Sequence, residues 1–440
     1  MNMPQRGGGV SITSIGDHAH HFHSFCSSVK TVEIKLNGSI RPMKLSSAVL
    51  PFITGESTVN DLDQITTFSG RVAIQDLVLP LYRKTIYERL EKRLDGGLGI
   101  FTGVSPNTHG VVVSDELAVT ENRTVPNRHF LGGPLEVIWQ SGFTGWLKEF
   151  RPDVAIVSGN ARLFSTKGGV RWLKSRGIPV VGWGLGTLMM GPHLRGMRTA
   201  MRKRLLHTFD GLIAYSSKAK EQYIEMGVDP DRISIAYNAI APRPDHPAPD
   251  RSPSFEGGGR LLFVGRLYPG KRLDLLFDAV AALSERFMPS IEIVGDGPGL
   301  EATRALAEER LPGRVTFHGA LYGEALDDAF QAADLFILPG MGGLAIQEAM
   351  SWGLPIIAAE GDGTQFDLVR KDNGWLMEPG SADSLRGILE AALSDCPALR
   401  AKGIESHRIV RDELNLDRMI DAMVAAIDDA SRRFGPSASR

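Results

Sequence analysis

The chain has 440 residues, two cysteines, and 49 Lys and Arg against 51 Asp and Glu. That length exceeds what one hydrophobic core organises and predicts two domains, while the distant Cys26 and Cys396 exclude a disulfide framework. No run approaches the roughly 18 apolar residues of a membrane-spanning helix, and residues 1–10 are polar and glycine-rich with no apolar run behind them, so a cytoplasmic protein without a secretory leader is expected.

The near-neutral total conceals a split. Residues 70–245 carry about +8 and residues 260–440 about −9. The basic half suits phosphates, acidic lipid or an anionic acceptor; equally, each half solubilises itself with its own sign. No nucleic-acid partner is expected.

In chain order, residues 1–69 read poorly as a packed domain and form an N-terminal extension, mixing Gly and Ser with short β-like runs such as Thr31–Leu36. His18, His20, His21, His23 and Cys26 are zinc-ligand types, but no second spaced pair accompanies them, so no metal is assigned. From Arg71, apolar runs alternate with amphipathic stretches, the pattern of βα units around a parallel sheet. Strands are predicted over 71–79, 98–102, 153–158, 179–183, 212–215 and 233–237. A helix over 82–94 puts Ile86, Leu90 and Leu94 on one face, and another ends near Arg176. Residues 70–241 thus form one Rossmann-like domain. Repeated Pro and Gly in 242–259 exclude regular structure and mark a linker. A second βα series fills 260–415, with strands at 261–264, 290–294, 315–318, 335–338 and 355–359. An amphipathic helix near 416–430 closes the chain within a last segment, 416–440. The fold class is α/β, two doubly wound domains facing across a cleft, and ligands of such sheets bind outside the carboxyl ends of the strands.

Three strand ends of the second domain carry phosphate-competent residues. In "LLFVGRLYPGKRLDLL", Gly265 lets backbone approach a ligand, and Arg266 and Lys271 offer a fork and a point charge to a diphosphate. Such cations suit a leaving group whose charge grows as a bond breaks; a solvated basic loop is the plainer alternative. In "LPGMGGLAIQEAMSWGLPII", Gly340, Gly342 and Gly343 precede a helix beginning near Leu344, and free amides at a helix start bind anions. Glu348, one turn further, is placed to accept ribose hydroxyls, or is merely an acid stabilised by the helix dipole. In "VTFHGALY", backbone near Gly319 can pair with a base edge, with His318 and Leu321 either lining that site or packing the core.

Together, "FVGRL…GK", "IVGDGPG", "VTFHG", "ADLFILPG" and "GLAIQEAMSWGLPII" resemble glycosyltransferase family 4, the retaining GT-B group, in order and spacing. The resemblance covers the second domain nearly completely and is looser in the first. It implies transfer of a sugar from a nucleoside-diphosphate donor to an acceptor hydroxyl with retention, without metal or other cofactor. It also implies Arg266 and Lys271 on the pyrophosphate, Gly343 and Leu344 amides on phosphate, Glu348 on ribose, and a last helix crossing back to the first domain. Two positions depart from the family. The first glutamate of its E-x7-E motif, which contacts the donor sugar, falls on Gly340, and a histidine common after the "PVV" strand falls on Gly184. No general base carries over, and a front-face mechanism, in which the departing phosphate takes the acceptor proton, needs none. On the acceptor side, Arg83, Asn160 and Thr187 are candidates by strand-end position.

The acceptor is expected to be a glycan or lipid-linked sugar. "HLRGMRTAMRKRLLHTF", within 193–209, interleaves Arg195, Arg198, Arg202, Lys203 and Arg204 with apolar residues. It either touches the inner membrane face peripherally or covers the core. A nucleotide-sugar epimerase or hydrolase and a non-catalytic nucleotide-sugar-binding protein are the rival readings.

Overall fold

The computed structural model describes residues 31–36, 39–44, 67–104, 117–132, 136–186, 195–255 and 258–435. The histidine-rich patch with Cys26, and Thr187, lie outside the described residues. The chain separates into two compact units, Met1–Ile65 and Thr66–Arg440. In the first, strands β1 (Thr31–Leu36) and β2 (Ser39–Lys44) pair antiparallel, with Thr31 opposite Lys44 and Leu36 opposite Ser39.

The larger unit holds two sheets. The first contains β3 (Val72–Gln75), β4 (Leu98–Val104), β5 (Glu121–Phe130), β6 (Val137–Gln140), β7 (Val154–Ser158), β8 (Val180–Gly184), β9 (Gly211–Ala214) and β10 (Ile233–Ile235), in the order β10-β9-β8-β7-β3-β4-β5-β6. Its strands run parallel except β6, which returns antiparallel along β5. The second contains β11 (Arg260–Val264), β12 (Ser290–Val294), β13 (Val315–Gly319), β14 (Leu335–Leu338), β15 (Ile356–Ala359) and β16 (Gly374–Met377), all parallel, in the order β13-β12-β11-β14-β15-β16. That is the doubly wound order, whose reversal between β11 and β14 opens a crevice at the carboxyl ends. Helices cover both faces of a parallel sheet, so central strands need apolar residues on both sides. Leu335–Leu338 and Ile356–Ala359 are accordingly buried throughout.

Several elements differ from the sequence expectation. The first strand stops at Gln75 because the Asp76 side chain accepts the Leu77 N–H at 2.7 Å and turns the chain away. The helix expected over 82–94 is a 3-10 turn, Leu81–Arg83, running into α1 (Lys84–Glu91), and it ends at a turn closed by Gly97 N–H on the Leu94 carbonyl. Four helices and a strand pair went unread. They are α2 (Phe143–Phe150), α5 (Ser217–Glu225), α10 (Gln365–Leu368), α12 (Cys396–Asp412) and the β5–β6 pair, and β16 went unread as well. Intervening helices are α3 (Ser165–Lys174), α4 (Arg195–Leu206), α6 (Leu273–Ala281), α7 (Leu300–Arg310), α8 (Glu324–Ala332), α9 (Leu344–Ser351) and α11 (Ala382–Ser394).

The last helix, α13 (Leu416–Phe434), begins where the Asn415 side chain accepts the Arg418 N–H. Its Met419, Ile420, Met423, Val424 and Ile427, at helical spacing, pack into the core of the first sheet with Val72, Ile74, Tyr87 and Trp183. Arg89 and Arg93 pair with its Asp417 and Asp421 at 2.6 and 3.0 Å. The chain end thus supplies a wall of the first domain's core. Met423→Ala is expected to lower stability by about 2–5 kcal/mol, read from urea denaturation; a change below about 0.5 kcal/mol, the usual size for a surface site, would contradict that packing.

Candidate active site

At the carboxyl ends of the second sheet, three turns meet. Gly265 follows β11, donates its N–H to the Val294 carbonyl at 2.9 Å, and lies so near Gly295 that a Cβ on Gly295 would stand 2.0 Å from the Gly265 oxygen. Gly295 in turn donates to the Gly319 carbonyl at the end of β13, at 2.7 Å. The third turn, 339–343, closes on the 269–271 turn through Met341 N–H on the Gly270 carbonyl at 3.0 Å. Lys271 lies between them. Its Nζ donates to the Met341 carbonyl at 2.7 Å, and a Cβ on Gly342 would stand 2.6 Å from it. Burial pushes the Lys271 amine below the usual lysine range, with Asp362 pulling the other way. Arg266, beside Gly265, is exposed and has no ion-pair partner among the described residues. Gly343 is the N-cap of α9 and supplies no side-chain cap, so the first amides of that helix, beginning at Leu344, keep their capacity for an anion.

The remaining donor-side candidates are less concentrated. Glu348 borders a cavity of about 430 Å³ that Asp327, Trp352 and the 240–246 connection also line, and burial, aided by Asp327, raises its carboxyl pKa. His318 pairs through Nε2 with Glu292 on the neighbouring strand at 2.6 Å. Leu321 packs against the second domain's core. The structure thus brings Gly265, Lys271 and Gly342 together, with Arg266 next to them, whereas His318 and Leu321 have neighbours of their own.

On the first sheet, Arg83 is the centre of a cluster at the ends of β3, β8 and β9. Its guanidinium donates to Asp76 Oδ2 and, at 2.6 Å, to the Tyr215 hydroxyl, while the Tyr87 hydroxyl donates to the same Asp76 oxygen at 2.8 Å. The Trp183 ring lies 4.7 Å from the Arg83 guanidinium carbon, within cation–π range. Burial opposes the Arg83 charge, but Tyr215 and Asp76 outweigh it, and the pKa rises. Asn160 is otherwise engaged, its Oδ1 accepting the Arg162 N–H at 3.0 Å. In α4, Leu205 and Leu206 are buried in the core, Arg202 donates to the Gly186 carbonyl, and Lys203 and Arg204 are exposed. Among the described residues no helix is long and apolar enough to cross a membrane, and no group of three or more His, Cys, Asp or Glu could hold a metal ion.

Residues 247–408 match the family described as Glycosyl transferases group 1, and residues 100–244 match Glycosyltransferase Family 4. The chain belongs to the family 4 glycosyltransferases. It is 26% identical to the D-inositol 3-phosphate glycosyltransferase of Gordonia bronchialis, over 67% of this chain and 65% of that protein. It is 27% identical to the lipopolysaccharide 1,6-galactosyltransferase of Salmonella typhimurium, over 57% of this chain and 68% of that one. The match to these curated relatives thus spans about two thirds of their length. Two solved structures share the GT-B fold. The lipopolysaccharide outer core galactosyltransferase WaaB, in its apo form, has a TM-score of 0.58 at 21% identity, covering 81% of this chain and 99% of that one. Anabaena HepE in complex with UDP has a TM-score of 0.61 at 17% identity, covering 82% and 99%.

Within this glycosyltransferase, both departures from the family motifs have structural counterparts. A Cβ on Gly340 would stand 2.3 Å from the Gly270 oxygen and 2.6 Å from the Lys271 carbonyl carbon, so backbone fills the place of a side chain. A Cβ on Gly184 would meet the Tyr223 hydroxyl at 3.2 Å. Sequence reasoning missed Asp76, Tyr215 and two glutamines. Gln347, buried, accepts the Ile240 N–H at 3.0 Å and donates to the Asn238 carbonyl at 3.1 Å, fastening α9 to the connection between domains. Gln365, also buried, donates to the Gly342 carbonyl. Gln347 sits in an apolar stretch, where a lone amide was the available signal, whereas Gln365 follows the polar loop 360–364, where an amide does not stand out. Gly340→Glu, which restores the family's motif, is expected to lower the melting temperature and weaken nucleotide binding by forcing the 270–271 turn aside; a variant as stable as the parent would show that the turn yields freely.

Proposed function

We propose that this glycosyltransferase moves a sugar from a nucleoside-diphosphate donor to an acceptor hydroxyl with retention at the anomeric carbon. The observation that carries the reading is the Lys271 amine held between the Gly265 and Gly342 turns, beside an exposed Arg266 and the open first turn of α9. Cation and amides converge where two linked phosphoryl groups would need them. As the bond between the anomeric carbon and the β-phosphate oxygen breaks, charge accumulates on that oxygen, and donors already in place stabilise it without reorganising. The acceptor oxygen bonds to the anomeric carbon on the face the phosphate leaves, and its proton passes to the departing phosphate. Configuration is kept, and no protein base is required where Gly184 stands.

Glu348 is assigned to the ribose hydroxyls, since its cavity opens beside α9 and a carboxylate accepts from two adjacent hydroxyls. The HepE relative is solved with UDP, which makes uridine the first base to try. The acceptor is assigned to the first domain, with Arg83 at its floor. The names of the relatives, one acting on an inositol phosphate and others on lipopolysaccharide, favour a phosphorylated or glycan acceptor.

Incubation with a panel of nucleotide sugars, with and without such acceptors, tests the reading. Nucleotide release that requires acceptor is expected; an epimerised or hydrolysed donor without acceptor overturns transfer. Lys271→Ala is expected to lower kcat/KM by about 100-fold or more, the usual loss for a donor to developing charge. Unchanged turnover would remove Lys271 from the chemistry.

A further inference from the structure

A carboxylate of the second domain caps a helix of the first. Ser217 opens α5, and its backbone N–H, one of those a helix leaves without an internal acceptor, donates to Asp367 Oδ2 at 2.9 Å while its hydroxyl donates to Oδ1 of the same group. Ser216 serves α5 from within, its Oγ accepting the Ala219 N–H at 3.0 Å. Asp367 therefore adds a negative charge at the positive end of this helix from the other domain.

Both ends of the contact continue into the candidate site. Tyr215, two positions before Ser217, accepts from Arg83 at the floor of the first sheet. Two positions before Asp367, the buried Gln365 amide donates to the Gly342 carbonyl and accepts from Gly361 and Gly363 N–H at 3.1 and 3.2 Å. Gly363, at φ +90°, has the Lys218 Cβ 3.2 Å from where its own Cβ would be, so helix and loop meet closely. A continuous path of contacts and short chain steps runs from Arg83 through Tyr215, Ser217, Asp367 and Gln365 to Gly342.

We infer that Ser217, Asp367 and Gln365 are positioning residues: closure of the two domains, made through the Ser217–Asp367 contact, sets the Gly342–Gly343 turn in the shape that receives a diphosphate. This rests on the transferase reading for the ligand, though not for the contact itself. The chemistry suits a reversible contact. Asp367 is only partly buried, so on opening the carboxylate and the Ser217 donors can turn to water rather than remain as buried orphans.

Asp367→Asn keeps the size of the side chain but removes its charge, leaving only neutral bonds in which the amide oxygen accepts the Ser217 N–H and the NH2 must donate to the Ser217 hydroxyl. Amide hydrogen exchange of the unliganded full chain is expected to quicken about ten-fold or more at 217–219 and at 340–343, consistent with loss of a charged hydrogen bond. The concentration of UDP, GDP or ADP giving half-maximal thermal stabilisation is expected to rise by a similar factor. Parental exchange at both segments in Asp367→Asn overturns the clasp, and faster exchange confined to 217–219 overturns its coupling to the phosphate turn. If none of the three nucleotides stabilises the parent protein, the transferase reading fails while the exchange data still decide the clasp. Ser217→Ala, which removes only the hydroxyl bond, is expected to give the same pattern at smaller amplitude and serves if Asp367→Asn folds poorly. Ser217→Thr keeps both donors and is expected to exchange as the parent does; exchange as fast as in Asp367→Asn would point to packing instead and overturn the proposal.

Discussion

Lys271 occupies a gap that exists only because the turns on either side of it carry no side chains. Gly340 faces the 270–271 backbone at distances no Cβ tolerates, Gly342 faces the Lys271 amine itself, and Gly295 and Gly265 meet backbone to backbone one strand over. Close approach of backbone is what glycine permits, at some cost in chain entropy. Here it concentrates peptide dipoles and one amine at the point where the strand order reverses. The same closeness partly buries Lys271, which lowers its pKa and strengthens any interaction it makes with an anion. The strand order, the bare start of α9 and the exposed Arg266 acquire chemical meaning from that one contact.

The first domain uses a different device. Beneath Asp76, the Thr166 hydroxyl donates to Gln75, Gln75 donates to Gln140, and Gln140 donates to the Asp76 carbonyl, a chain of buried bonds 2.8–2.9 Å long. Buried polar groups satisfied in this way fix a single arrangement, because any other leaves one of them unpaired. They hold the turn that presents Asp76, and Asp76 holds Arg83. A buried ion pair adds little net stability, so the cluster is better understood as orientation of a cation at a strand end.

Three of the links between the domains, among the described residues, differ in kind. The last helix returns to the first core, Gln347 grips the 238–240 backbone, and Ser217 meets Asp367. The first is broad and apolar and the second is buried, so both hold firmly. The third is polar and half-exposed, as a contact that opens in solution must be. A two-domain transferase needs this hierarchy if donor and acceptor are to enter a cleft and then be shielded within it.

Fold class and the glycine-rich turns at the carboxyl ends of the second sheet were legible in the sequence because their signals are local. Apolar runs of strand length between amphipathic stretches can only build a covered parallel sheet, and glycines beside Arg266 and Lys271 at strand ends point to phosphate. Local signals also existed for two elements that went unread: Phe143, Trp146, Leu147 and Phe150 at helical spacing, and Asp395 with Pro397 at the start of α12. The β5–β6 pair offered little, since β5 is largely exposed and contains Pro126. Tertiary structure alone decided that His318 turns to Glu292, that Gly340 is sealed by backbone, and that Asp367 reaches Ser217. Each of these depends on which groups from distant parts of the chain come within hydrogen-bonding or van der Waals distance. Short-range periodicity carries no record of such meetings.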